Sequence, residues 1–226
     1  MTASPEGLLA EALDRMTAVD SVCYCPCVGR DIVLAMNWLG AHLGRFVFCD
    51  SGYRRQEMTA RGAAPVDWRS VNRGPDVARW PASPTDQPGT RAMIETWRRP
   101  DGSAVTLEFL AARAEEQLTS RFAAGTISAL LHINDGTGEG GSDLWFLGSP
   151  GRGQAEASRC LLPVVAERLT DDALVITDGA LTDPEFALRQ PFRRCGRLWA
   201  PLAPLENKRF SDRQVTVWRT TRESGP

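Results

Sequence analysis

Lysine is almost absent from this chain of 226 residues: Lys208 is the only one, and arginine supplies the rest of the basic charge, a usage that fits a GC-rich genome. A formal net charge of -2, with an isoelectric point near 5.8, argues against a general binder of nucleic acid or of membrane surfaces. No apolar run approaches the ~20 residues that a membrane span needs. The opening "MTASPEGLLAEALDRM" lacks a basic leader followed by an apolar stretch, so it does not read as a signal peptide. Cytoplasmic residence follows as the default, and there the six cysteines are expected as reduced thiols. No G-x-S-x-G elbow supports serine hydrolysis, and no G-x-x-x-x-G-K-[ST] loop supports a nucleotide triphosphatase.

What is present is alternation. Leu8, Leu9, Leu13 and Met16 form a helical stripe, which predicts a helix within residues 1–19. "SVCYCPCV" reads as a strand stopped by Pro26 and Gly29, "RDIVLAMNWLGAHL" as a helix, and "RFVFCD" as a short buried strand ending on Asp50. Strand, glycine turn, helix and strand thus fit into about thirty residues, the size of one βαβ unit. Residues 59–90 are rich in Pro, Gly and Arg with little periodicity, and read as an irregular insertion or lid. Two apolar runs around Pro100-Asp101-Gly102 predict a hairpin that sets Trp97 and Leu107 in adjacent strands. "ARAEEQLTSRFA" is helical, "ISALLHIND" reads as a central strand, "QAEASRCLLPVVAERL" as a helix that Pro163 kinks, and "DALVITDG" as another buried strand. "GRLWAPLAPL" and "RQVTVWRTT" offer two last strands. With no repeat or linker, residues 1–226 read as a single α/β domain. Its expected core is one doubly wound, mostly parallel sheet with an antiparallel pair of strands at the C-terminal end.

This order of elements resembles the class I S-adenosylmethionine-dependent methyltransferases, a Rossmann-like fold of seven strands whose last two form an antiparallel hairpin. The likeness spans about residues 20–220. It implies that the turn "CPCVGRD", with Pro26, Cys27, Gly29 and Asp31, lies beside the methionine part of the cofactor. It also implies that Asp50 binds the ribose hydroxyls, that "FLAAR" lies on the adenine side, and that "HIND", with His132, Asn134 and Asp135, ends the fourth strand near substrate. The first turn departs from the family's glycine-rich pattern, since Gly29 is its one glycine. "YCPCVGRD" and "DGTGEGGS" are also similar to segments of little-characterised bacterial proteins.

The residues themselves leave alternatives open. Asp31, Asp50, Asp135 and Asp178 each fall at or just past the carboxyl end of a predicted strand, where open α/β sheets bind ligands. Aspartates are also common in turns and at helix caps. "NDGTGEGGSD", with Glu139, reads as a substrate loop or a plain surface loop. His132 is either a general base or a hydrogen-bonded core residue. Cys23, Cys25 and Cys27 have period two and Cys49 ends the next strand, so four thiols come within reach of one another if the first two strands pair. The C-x-C-x-C spacing is not that of a structural zinc site, so no metal is expected. The implied function is a small-molecule methyltransferase using S-adenosylmethionine. Asp135 and Glu139 would orient the nucleophile, and neither nucleic acid nor membrane is an expected partner. The alternative is a non-enzymatic protein that binds a ligand or partner on a degenerate version of the same fold.

Overall fold

The structure, a computed structural model, describes residues 4–16, 21–26, 32–53, 58–75, 91–133, 161–177, 184–205 and 215–223. The chain divides into two compact units, one of residues 17–122 and one of residues 1–16 with 123–226.

In the first unit the strand order is β3-β4-β5-β2-β1. The strands are β1 (Val22–Pro26), β2 (Arg45–Cys49), β3 (Arg69–Pro75), β4 (Arg91–Arg98) and β5 (Ala104–Ala111). β1, β2 and β5 run parallel, and every residue of β1 and β2 after Arg45 is buried. This accounts for their nearly unbroken apolar sequences: a strand covered on both faces has no reason to alternate. Among the described residues two helices belong to this unit, α2 (Ile32–Leu39) and α3 (Ala114–Arg121). Tyr24 donates from its hydroxyl to the Ala114 carbonyl at 2.7 Å and packs its ring on Phe122, which fastens β1 to both ends of α3. After α2 the chain turns at Gly40, where a Cβ atom would meet the Met36 carbonyl oxygen at 2.3 Å, so only glycine fits.

β4 and β5 form the expected hairpin. Trp97 pairs with Val105 and Glu95 with Leu107. The turn closes through Arg99 and Ser103, Gly102 takes φ +85°, and the Asp101 carboxylate accepts from the Ser103 amide at 2.8 Å. Part of the expected irregular insertion is a strand: β3 pairs antiparallel with β4. Residues 69–73 are exposed on both faces, so no buried side imposed a periodicity that the sequence could display. Residues 76–90 lie outside the described residues.

In the second unit the order is β6-β7-β10-β9-β8. The strands are β6 (Ile127–His132), β7 (Leu169–Thr177), β8 (Phe192–Arg194), β9 (Arg197–Leu205) and β10 (Val215–Arg222). β6 and β7 are parallel, and β10 enters between β7 and β9 antiparallel to both. Among the described residues the helices are α1 (Pro5–Asp14), α4 (Leu162–Arg168) and α5 (Pro184–Leu188). Ser4 caps α1 by accepting from the Gly7 amide at 3.1 Å, and α1 packs on β9 through a side that includes Leu9 and Leu13. Pro163 sits in the first turn of α4 rather than kinking a longer helix, because the described helix begins at Leu162. The structure is therefore α/β as expected, but parallel pairing joins only β1–β2, β2–β5 and β6–β7 among the described pairs. The outer strands of both units are antiparallel. Among the described residues no helix is long and apolar enough to cross a membrane.

Candidate functional site

Parallel register makes β1, β2 and β5 end level. Pro26 stands beside Cys49, and Cys49 beside Leu110. The backbone pairing continues one step further, where the Asp50 amide donates to the Leu110 carbonyl at 3.0 Å. Asp50 is thus the first residue past the rim of β2, half-buried, as the spacing of "RFVFCD" implied. Its Oδ1 accepts from the Gly52 amide at 2.7 Å and its carbonyl accepts from the Tyr53 amide at 3.3 Å. These bonds close an Asx-type turn that fixes where the carboxylate points.

The adjoining loop after β5 is held by a bond the sequence did not suggest. The Cys49 thiol donates to the Ala112 carbonyl at 3.4 Å, drawing "FLAAR" against the end of β2. Tyr53 is also buried there, its ring 6.4 Å from that of Phe109. Cys49 stood out only for its place near the other cysteines, not for this bond, and Tyr53 did not stand out at all, because a lone tyrosine after a strand has no pattern until register places it.

Among the described residues Cys49 does not join Cys23 and Cys25. Residues paired across neighbouring strands share a face of the sheet. Cys25 pairs with Phe48, so Cys23 and Cys25 lie on that face, with their sulfurs 3.5 Å apart. Cys27 lies outside the described residues, and Cys49 pairs with Pro26 and points to the opposite face, so it does not join Cys23 and Cys25. The one-residue offset between the "CYCP" and "FVFC" runs decides this. Burial pushes the Cys25 thiol well above its ordinary pKa, with Cys23 adding to the effect. Among the described residues no group of three or more His, Cys, Asp or Glu side chains is placed to hold a metal ion.

In the second unit β6 ends on His132, which pairs with Thr177 of β7, and Thr177 pairs with Thr216 of β10. All three are buried and share one face, a polar row at the carboxyl end of β6 and β7, above the apolar row of Leu130, Val175 and Trp218. His132 is wholly buried. Cys27, Gly29, Asp31, Asn134, Asp135, Glu139 and Asp178 lie outside the described residues.

A second strand followed by an acid and a last strand pair that is antiparallel resemble the class I methyltransferase-like fold. No family model and no curated protein matches the chain. Among solved structures it is similar to an rRNA methylase from Streptococcus thermophilus, with a TM-score of 0.44, 10% identity, and 99% of each chain covered. It is similar to an antibiotic-related methyltransferase at a TM-score of 0.40 and 11% identity, over 98% of this chain and 96% of the other. It is also similar to the 16S rRNA (adenine(1408)-N(1))-methyltransferase from Catenulisporales acidiphilia at a TM-score of 0.37 and 14% identity, over 100% and 94%. The fold rests on strand order and register, not on these likenesses. They do correct one expectation. Two of these three proteins are named for rRNA, so the exclusion of a nucleic-acid partner, drawn from whole-chain charge, does not stand.

Proposed function

We propose that this protein binds S-adenosylmethionine and transfers its methyl group to an acceptor. The observation that carries the reading is the placement of Asp50. A half-buried carboxylate stands one residue past the level ends of three parallel strands, oriented by the Gly52 amide and beside a loop tied down through Cys49. A carboxylate held this way suits two neighbouring hydroxyls, since charge-assisted hydrogen bonds are the strong ones. The residues fit the cofactor on that side: Asp50 would hold the ribose, and the segment from Ala111 to Arg113 would border the adenine. When bound, S-adenosylmethionine supplies an electrophilic methyl group. The protein's part is then mainly to hold donor and acceptor aligned, which proximity and orientation alone make effective. His132, with Thr177 and Thr216 beside it, is proposed to shape the polar floor of the second unit at the end of β6.

The small-molecule acceptor expected from the sequence is not carried forward. Calorimetry with S-adenosylmethionine and its demethylated product tests the reading. Binding in the micromolar range supports it. Absence of binding at millimolar cofactor would replace it with a non-enzymatic binding protein on this fold. Incubation with methyl-labelled cofactor and a fractionated lysate then shows whether label enters RNA, protein or small molecules.

A further inference from the structure

Among the described residues the arginines are nearly all engaged. Some meet carboxylates, as Arg45 meets Glu108 and Arg219 meets Asp172. Others meet backbone carbonyls, as Arg99 and Arg197 do. Three with described side chains differ, and all lie on the β3–β4 side of the first unit. Arg61 and Arg69 make no side-chain hydrogen bond or ion pair among the described residues, and Arg98 meets only the Gly102 carbonyl, at 3.2 Å.

Two of them are direct neighbours. Arg69 and Arg98 are cross-strand partners, both exposed, on adjacent antiparallel strands. Paired Cα atoms in such a ladder are about 4.5–5.5 Å apart, and like charges placed directly opposite each other are unfavourable. An arrangement that costs stability without a carboxylate to relieve it is one an external anion would relieve. The surroundings are basic as well. Residues 58–75 and 91–104 hold Arg61, Arg69, Arg73, Arg91, Arg98 and Arg99 against only Asp67, Glu95 and Asp101, in a chain whose overall charge is negative. Of those three acids Glu95 is buried, and it is already satisfied by Arg73, the Ala60 amide and the Trp97 indole.

β3 is also an edge. Among the described residues no strand pairs with its outer side, so its backbone presents N–H and C=O groups there. A ligand with both anionic oxygens and groups that donate and accept would match the arginine pair and the edge together. RNA has this combination, phosphates along the backbone and a 2′-hydroxyl on each sugar. From this we infer that the β3–β4 edge, centred on Arg69 and Arg98, is a docking surface for the backbone of single-stranded RNA. The inference does not depend on methyl transfer, and its test needs no cofactor.

Fluorescence anisotropy of the full chain with a labelled RNA of ~20 nucleotides, in a salt series starting near 50 mM, is the measurement. The wild type is expected to bind, with log Kd linear in log salt. The double variant Arg69→Gln/Arg98→Gln should bind at least tenfold more weakly. Its salt slope should be reduced by about 1.4, since each phosphate contact to a single strand contributes about 0.7. The control Arg15→Gln/Arg193→Gln removes the same charge from the other unit and should change affinity less than twofold. Thermal unfolding should show the first double variant at least as stable as wild type, because a like-charge pair is gone. Three results would overturn the inference: no binding by wild type at low salt, an equal loss in the control, or equally tight binding of DNA of the same sequence. The last would remove the role given to the 2′-hydroxyl. If the double variant proved unstable, the single Arg69→Gln change, with a slope change of about 0.7, would decide the matter.

Discussion

Glu108, in the middle of β5, lies between two cations: Arg45 of β2 binds its Oε1 at 2.6 Å, and Arg121 at the end of α3 binds its Oε2. The carboxylate is 1% exposed, while Arg45 is 41% and Arg121 12% exposed. One buried charge thus joins the strand that carries Asp50 to the helix that covers β1. Removing one partner of a buried pair leaves an uncompensated charge, a loss of about 3–5 kcal/mol. Glu108→Ala should therefore unfold at clearly lower denaturant concentration. Arg121→Gln should cost more than Arg45→Gln, because water screens the more exposed arginine and leaves its ion pair worth little. Equal losses for the two arginine variants would contradict this ranking.

Asp50→Ala should weaken S-adenosylmethionine binding by roughly tenfold or more for each charge-assisted bond lost. The same change removes the bond from the Gly52 amide, so a stability loss of about 1 kcal/mol should accompany it. Asp67→Ala, at an exposed turn position, is the control and should leave binding intact. Unaltered affinity in Asp50→Ala, measured by calorimetry, would take the ribose away from this residue.

Arg197 is 1% exposed and forms no ion pair within salt-bridge distance among the described residues. Its guanidinium donates to the Thr220 hydroxyl at 3.0 Å, to the Ala166 carbonyl at 3.1 Å and to the carbonyls of Leu169, Thr170, Asp171 and Thr220. It satisfies carbonyls at the end of α4 and the start of β7 that would otherwise be buried without donors. Arg197→Met should cost about 3 kcal/mol or more by orphaning these groups. Arg197→Lys should recover less than half, because an ammonium cannot reproduce the planar fork. Burial, with Arg222 nearby, pulls its pKa down to about 10. Between about 10 and its ordinary value the unfolded chain therefore binds more protons, so this group's contribution to stability rises with pH in that window and is flat below it. Chemical denaturation from neutral pH to pH 9 should accordingly be insensitive to it. A wild-type-minus-Arg197→Met difference that changes across that range would refute the assignment.

Cys195 occupies the two-residue turn between β8 and β9, exposed, with φ +54°, and Gly196 follows at +68°. Cys23 and Cys25 are buried, and the raised pKa of Cys25 keeps it a thiol near neutral pH. Iodoacetamide at pH 8 should label Cys195 in the native protein and spare Cys23 and Cys25 until denaturant is added. Peptide mapping reads this directly, and native labelling of Cys25 at a rate like that of Cys195 would overturn it.

Elements whose causes are local were legible in the residues alone. The apolar runs of β1, β2, β6 and β7, the stripe of α1 and the Pro100-Asp101-Gly102 turn follow from a few adjacent residues, and each is found near its expected place. Asp50 at the end of β2 was legible for the same reason, because a buried run that stops at an acid marks a strand's exit from the core. Features that depend on register between distant segments emerged only from the folded chain. It turned Cys49 away from Cys25, set Glu108 between Arg45 and Arg121, buried Arg197, and placed Arg69 opposite Arg98. The physical reason is that side chains alternate with period two along a strand, so a shift of one residue in pairing exchanges every face. β3 shows the other limit. A strand exposed on both faces has no buried side to write a pattern, and only its hydrogen bonds to β4 identify it.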